Sequence, residues 1–146
     1  MLARSSSQFP ASRLQILKQH LEAENSHNLD ALMETFSEGA LVFVNGQPFD
    51  TPERIRGLHE DFGFGERGAF SDVTVEEWQR YITDEAVIIE QTLSGRHTGR
   101  WEGIAPTGKP FKIPVCTIYI FNEDGRLAQE RVYFDWALLH RQLGLL

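Results

Sequence analysis

Three things are scarce in this chain: it has one cysteine, Cys116, its basic residues are outnumbered by acids, and no apolar run approaches a membrane span. Each shortage removes a class of protein. A single cysteine excludes an intrachain disulfide and a cysteine-rich zinc site, and Cys116 lies in an apolar run where a thiol packs as a small hydrophobe. With 14 Lys and Arg against 21 Asp and Glu, a net charge of −7 offers no concentrated positive field for phosphates, so nucleic acid is not an expected partner. A spanning helix needs roughly 18 apolar residues and a secretory leader an apolar core of its own. Neither is present, so a membrane partner is not expected and the expected location is the cytoplasm. Arg4 and the serines Ser5, Ser6 and Ser7 fit a frayed tail better than an organelle-targeting segment. His20, His27 and His140 lack metal-ligand spacing, and Gly63-Phe64-Gly65 runs into Glu66 and Arg67 instead of a phosphate loop. No metal and no cofactor are therefore expected.

What is present reads as one packed domain. At 146 residues, two halves would each bury too little apolar surface, while 41% hydrophobic and 11% aromatic residues suffice for a single core. A flexible tail over 1–11 and one domain over 12–146 are expected. Ser12 and Gln15 read as a capping box ahead of Leu14, Leu17 and Leu21, which predicts a helix over 12–25. Leu29, Leu32, Met33 and Phe36 share one helical face. Residues 40–45 read as a short strand closed by Asn45-Gly46. Thr51-Pro52-Glu53 then opens a helix over 52–61, and 63–68 is expected to be a mobile loop. From Val73 the period changes to two, predicting strands over 73–82, 85–94, 111–121 and 127–134, with Asn122-Glu123-Asp124-Gly125 turning the last hairpin. A closing helix over 136–143 ends at Gly144.

Helices followed by strands give an α+β fold, and motifs narrow it. Gly95-Arg96-His97-Thr98-Gly99 with Gly103-Ile104-Ala105-Pro106-Thr107-Gly108-Lys109, and Phe121 to Leu127 followed by Tyr133-Phe134-Asp135 and Arg141-Gln142-Leu143-Gly144, closely resemble SnoaL-like proteins of the nuclear-transport-factor-2-like superfamily. The resemblance runs from about Leu14 to the end. It implies a cone of strongly bent antiparallel sheet, with N-terminal helices enclosing one pocket, and a homodimer formed through the open sheet face. It also implies an aspartate acting as acid and base at Asp135. The histidine that family cyclases carry on the penultimate strand is absent here, and Tyr119 is the nearest polar substitute.

The chemistry explains why Asp135 is a candidate. Taking a proton from carbon beside a carbonyl needs a base, returning one to oxygen needs an acid, and a carboxyl desolvated by Phe134 and Trp136 can serve as both. An aspartate before Trp136-Ala137-Leu138-Leu139 is equally a helix N-cap. If Asp135 faces inward, alternation puts Tyr133 and Arg131 beside it and Glu130, Val132 and Phe134 on the other side, barring a bulge. Tyr133 would then donate to a carbonyl, or pack its ring. Arg131 would contact substrate or pair with Asp135. His97 is either a proton donor at the pocket rim or a loop-packing residue, and Glu90 is either inside the cone or on a solvated face. His59, Trp78 and Trp101 line the mouth or fill the core, and Phe43 and Phe62 are candidate apolar contacts.

The leading expectation is a cofactor-free acid–base enzyme, of cyclase, isomerase or lyase type, acting on a small, largely apolar carbonyl compound. Asp135 would be the acid and base, with Tyr133 or His97 polarising oxygen. A non-catalytic binder or dimer scaffold on the same cone is the alternative. An epoxide hydrolase is a third reading, although the second acid expected at Val132 is missing.

Overall fold

The computed structural model describes residues 9–146, so the expected tail lies mostly outside the described residues. Helix α1 spans Ala11–Asn25 and α2 spans Leu29–Glu34. Pro10 is the N-cap of α1 and no side chain caps it, so Ser12 sits within the first turn and does not form the expected box. Phe36 is not on α2 either. It opens strand β1, Phe36–Val44, which is longer than the predicted segment, and β2 is Gln47–Phe49. Helix α3, Pro52–Phe62, forms as expected, with Thr51 Oγ1 accepting from Arg54 N at 3.1 Å.

Segment 63–68 packs closely against its surroundings. Gly63 adopts φ 138 where the Phe70 carbonyl leaves no room for a Cβ, and Ala69 N donates to Asp61 O at 2.7 Å. Strands β3 (Phe70–Ile82), β4 (Ala86–His97), β5 (Pro110–Phe121) and β6 (Leu127–Phe134) follow, and α4 is Trp136–Gln142.

All six strands form one sheet in the order β2-β1-β6-β5-β4-β3. The pairing departs from the all-antiparallel expectation at one place, where β1 runs parallel to β6. A parallel neighbour requires a long crossover, and the whole stretch from α3 to β5 supplies it. Register shifts in β3 against β4, in β5 against β6 and in β1 against β6 bend the sheet. Its concave side carries Val87, Ile89, Gln91 and Leu93 of β4 and Ile113, Val115, Thr117 and Tyr119 of β5, all buried. Helix α1 lies across that side. Its end is tied to β3 by Asn25, whose amide accepts from Val75 N at 2.8 Å and donates to Val75 O at 3.1 Å. No described helix is long and apolar enough to cross a membrane.

Candidate functional site

The concave face and the helices form a cavity of about 1240 Å³ that opens to solvent. Its walls are apolar, with Val42, Phe62, Leu93, Trp101, Val132 and Phe134 among them, while Glu24, His59, Gln91, Thr117 and Glu130 supply polar groups.

Strand β6 decides which acid is inside. Glu130, Val132 and Phe134 line the cavity, so Arg131 and Tyr133 point outward. Asp135 is exposed, and its Oδ1 accepts from Leu138 N at 3.0 Å as the N-cap of α4. The cap reading is the one the structure supports, and the enclosed Asp135 of the acid–base expectation does not form. Tyr133 is 42% exposed.

Other candidates also leave the site. Arg131 donates to Gln129 Oε1 at 2.9 Å and stacks over the Phe43 ring at 4.8 Å, placing both on the convex face. Glu90 adjoins the cavity-lining Gln91 and faces the opposite way, 3.4 Å from the Tyr81 hydroxyl that donates to it. Trp78 is 55% exposed, which excludes it from the pocket. His97 is fully buried and shares a 3.1 Å contact with Thr107 Oγ1, which makes it a loop-packing residue; burial lowers its pKa. His59, Trp101 and Phe62 do line the cavity, and Tyr119 lies buried beside it, its ring edge-on to His20.

Residues distant in sequence form a further cluster, joined across the fold. His20 and Glu24, one turn apart on α1, share a buried face with Leu17. His20 Nε2 lies 3.4 Å from Glu24 Oε1 and 3.2 Å from Glu130 Oε2, and His59 Nε2 lies 4.0 Å from Glu130 Oε1. The other ring nitrogens are committed. Thr35 Oγ1 donates to Leu32 O at 2.6 Å, so it accepts from His20 Nδ1–H at 2.9 Å, while His59 Nδ1–H donates to Ile55 O at 2.7 Å. Both Nε2 atoms therefore face the carboxyls.

Burial pushes the Glu24 carboxyl up to about 8, reinforced by Glu130 and opposed by His20. Glu130 goes the other way: burial would raise it, but His20 and His59 hold it below the ordinary carboxylate range. Burial would lower His20, yet Glu130 and Glu24 outweigh it and raise its pKa, whereas burial lowers that of His59. The two carboxyls are thus pushed in opposite directions, Glu24 toward its neutral form and Glu130 toward its ionised form, with His20 made the more basic of the two imidazoles. His20, Glu24 and Glu130 are also the residues among those described whose ligand atoms, all within 4.8 Å, have the spacing to surround a cation.

These features define a class: a nuclear-transport-factor-2-like α+β cone with ionisable groups deep in an apolar cavity. The chain belongs to the SnoaL-like polyketide cyclase family, whose sequence profile matches residues 14–143. No curated protein matches it in sequence. Among solved structures, a SnoaL-like protein from Jannaschia sp. CCS1 superposes with a TM-score of 0.81 at 16% identity, covering 98% of this chain and 97% of that one. TsrD from Streptomyces laurentii gives 0.76 at 25% identity over 100% of both chains. An LEH-like epoxide hydrolase from M. tuberculosis gives 0.69 at 16% identity, covering 90% of this chain and 89% of that one.

Proposed function

We propose that this protein is an acid–base enzyme for a largely apolar carbonyl compound, with Glu130 as the base and Glu24 as the acid. The observation that carries this reading is that two buried carboxyls line one apolar cavity, and their surroundings push them in opposite directions, Glu24 up and Glu130 down. Glu130 takes a proton from carbon beside the carbonyl, the electron pair moves to oxygen, and Glu24 delivers its proton there. The resulting enol reacts onward by reprotonation or by attack on a second carbonyl. Proton transfer by such positioned groups contributes about 10²–10⁴ in rate.

The test uses 2-tetralone, a bicyclic ketone with exchangeable α-protons, in D2O followed by proton NMR. Wild type is expected to accelerate exchange over buffer, Glu130→Gln to lose about 100-fold or more, and Asp135→Asn to match wild type. Exchange at the buffer rate, or undiminished exchange in Glu130→Gln, overturns the reading. An apolar molecule retained in native mass spectrometry without turnover would favour the binder.

One observation favours epoxide opening as a second reading. The second acid absent at Val132 is supplied from helix α1 by Glu24, so Glu130 can activate water while Glu24 protonates the epoxide oxygen. Styrene oxide hydrolysis distinguishes the two.

We also infer a homodimer through the convex sheet face. Register aligns Phe43, Arg131, Ile118, Ile88 and Tyr81 in one row across five strands on that face, with Tyr81 49% exposed. A second copy of the same row would cover it.

A further inference from the structure

His20, Glu24 and Glu130 bring three ligand atoms together out of reach of water. Their side chains are at most 6% exposed, and His20 Nε2, Glu24 Oε1 and Glu130 Oε2 have no solvent access. None of the three makes a hydrogen bond, although Nε2 stands 3.4 Å from the Glu24 oxygen and 3.2 Å from the Glu130 oxygen. Both oxygens are near enough in distance, but neither lies along the ring N–H direction. Among the described residues no Lys or Arg pairs with either carboxyl. Polar atoms left in this way beside the Phe36 and Tyr119 rings are costly, and an occupant bonded to all three would remove that cost.

The geometry points to a binding site for a divalent first-row transition ion of the zinc kind, held by His20 Nε2, Glu24 Oε1 and Glu130 Oε2. Ligands about 2.0–2.2 Å from one zinc stand about 2.8–3.1 Å apart at right angles and about 3.3–3.6 Å apart in a tetrahedron. Separations of 3.2 and 3.4 Å belong to the range these arrangements cover. The two oxygens stand within 4.8 Å of each other, and glutamate torsions can bring them closer. His20 is also oriented as a ligand. Its Nδ1–H is given to Thr35 Oγ1 at 2.9 Å, and Thr35 gives its own proton to Leu32 O, so the Nε2 lone pair faces the carboxyls. Two carboxylates balance a double positive charge, and the imidazole favours zinc-like ions over magnesium. His59 Nε2, 4.0 Å from the other Glu130 oxygen, stands outside the set. Glu24 and Glu130 line the cavity and His20 does not, so the fourth position, open to a water or an oxygen of a bound molecule, is on the cavity side.

Spacing along the chain shows only part of the site: His20 and Glu24 are one helical turn apart, and Glu130 arrives with the last strand. The site stands independently of the acid–base reading. A cation between the carboxyls and a proton on Glu24 exclude each other, so the loaded protein is a second state of the same three residues.

The experiment is calorimetric titration of EDTA-treated, dialysed protein with zinc chloride, followed by X-ray absorption of the loaded wild type. One zinc per chain is expected, bound at least about 10-fold more weakly by Glu24→Gln, Glu130→Gln and His20→Gln. Magnesium chloride should bind the wild type at least about 10-fold more weakly than zinc. The absorption spectrum should show one imidazole and otherwise oxygen at about 2.0–2.2 Å. No zinc uptake, uptake undiminished in all three variants, equal affinity for magnesium, or a spectrum with sulfur or several imidazoles overturns the site. Should the variants fail to fold, the wild-type spectrum and the magnesium comparison decide. Exchange of 2-tetralone measured in EDTA tests the acid–base reaction without the cation, so that reading and this site can each fail alone.

Discussion

His20 on the first helix and Glu130 on the last strand, 110 positions apart, meet at 3.2 Å between Nε2 and Oε2, and both side chains are shut off from solvent. The polar centre of the protein is thus a contact between its two ends, with Glu24 added from the helical turn that follows His20.

Turnover should depend on pH from both sides. Glu24 must keep its proton, so the rate is expected to fall as pH rises through about 8. Glu130 must stay ionised, so the acidic limb should lie below the ordinary carboxylate range. A rate profile for 2-tetralone exchange, with the alkaline limb displaced or lost in Glu24→Gln, would confirm the assignment; an unchanged limb would refute it.

Stability should carry the same signature. Between the ordinary glutamate value and about 8, Glu24 holds a proton in the folded chain and has lost it in the unfolded one. Unfolding then releases protons, and the contribution of Glu24 declines as pH rises through that window. Glu24→Gln removes this decline. Its melting temperature relative to wild type should therefore climb from pH 5 to about pH 8 and level off above it in scanning calorimetry, and a flat difference throughout would count against a buried neutral carboxyl.

Asp135 offers the complementary result. As the N-cap of α4, Asp135→Ala should cost about 1 kcal/mol in urea denaturation while leaving turnover untouched. Asp135→Asn keeps an accepting oxygen and should be close to wild type in both. Loss of activity in either variant without loss of stability would return Asp135 to the chemistry.

For the convex face, Ile118→Lys places a charge in the middle of the aligned row. Light scattering should then report a monomer with an unchanged circular dichroism spectrum, where wild type reports a dimer. A wild-type monomer would refute the pairing.

Much of the architecture was legible along the chain. Thr51-Pro52 started α3 where expected, β6 matched its predicted span, and Asp135 was recognisable as a cap, because caps, turns and period-two alternation are local properties of neighbouring residues. Phe36 was misplaced because an apolar residue at helical spacing is equally suited to open a strand. Alternation separates Glu130, Val132 and Phe134 from Arg131 and Tyr133, but it gives two faces without saying which one is roofed.

The one available clue to the centre was His20 and Glu24 interrupting an apolar helical stripe at Leu17, and it reads equally well as a solvated edge. Local periodicity, turn chemistry and the family motifs were enough to establish an α+β cone of the SnoaL type, since each depends on residues close in sequence. Choosing Glu130 over Asp135 required the helix to be laid over the sheet and β1 to pair in parallel with β6. Burial and Coulomb interaction act through space, so the protonation state of a carboxyl is settled by neighbours that the order of residues does not reveal.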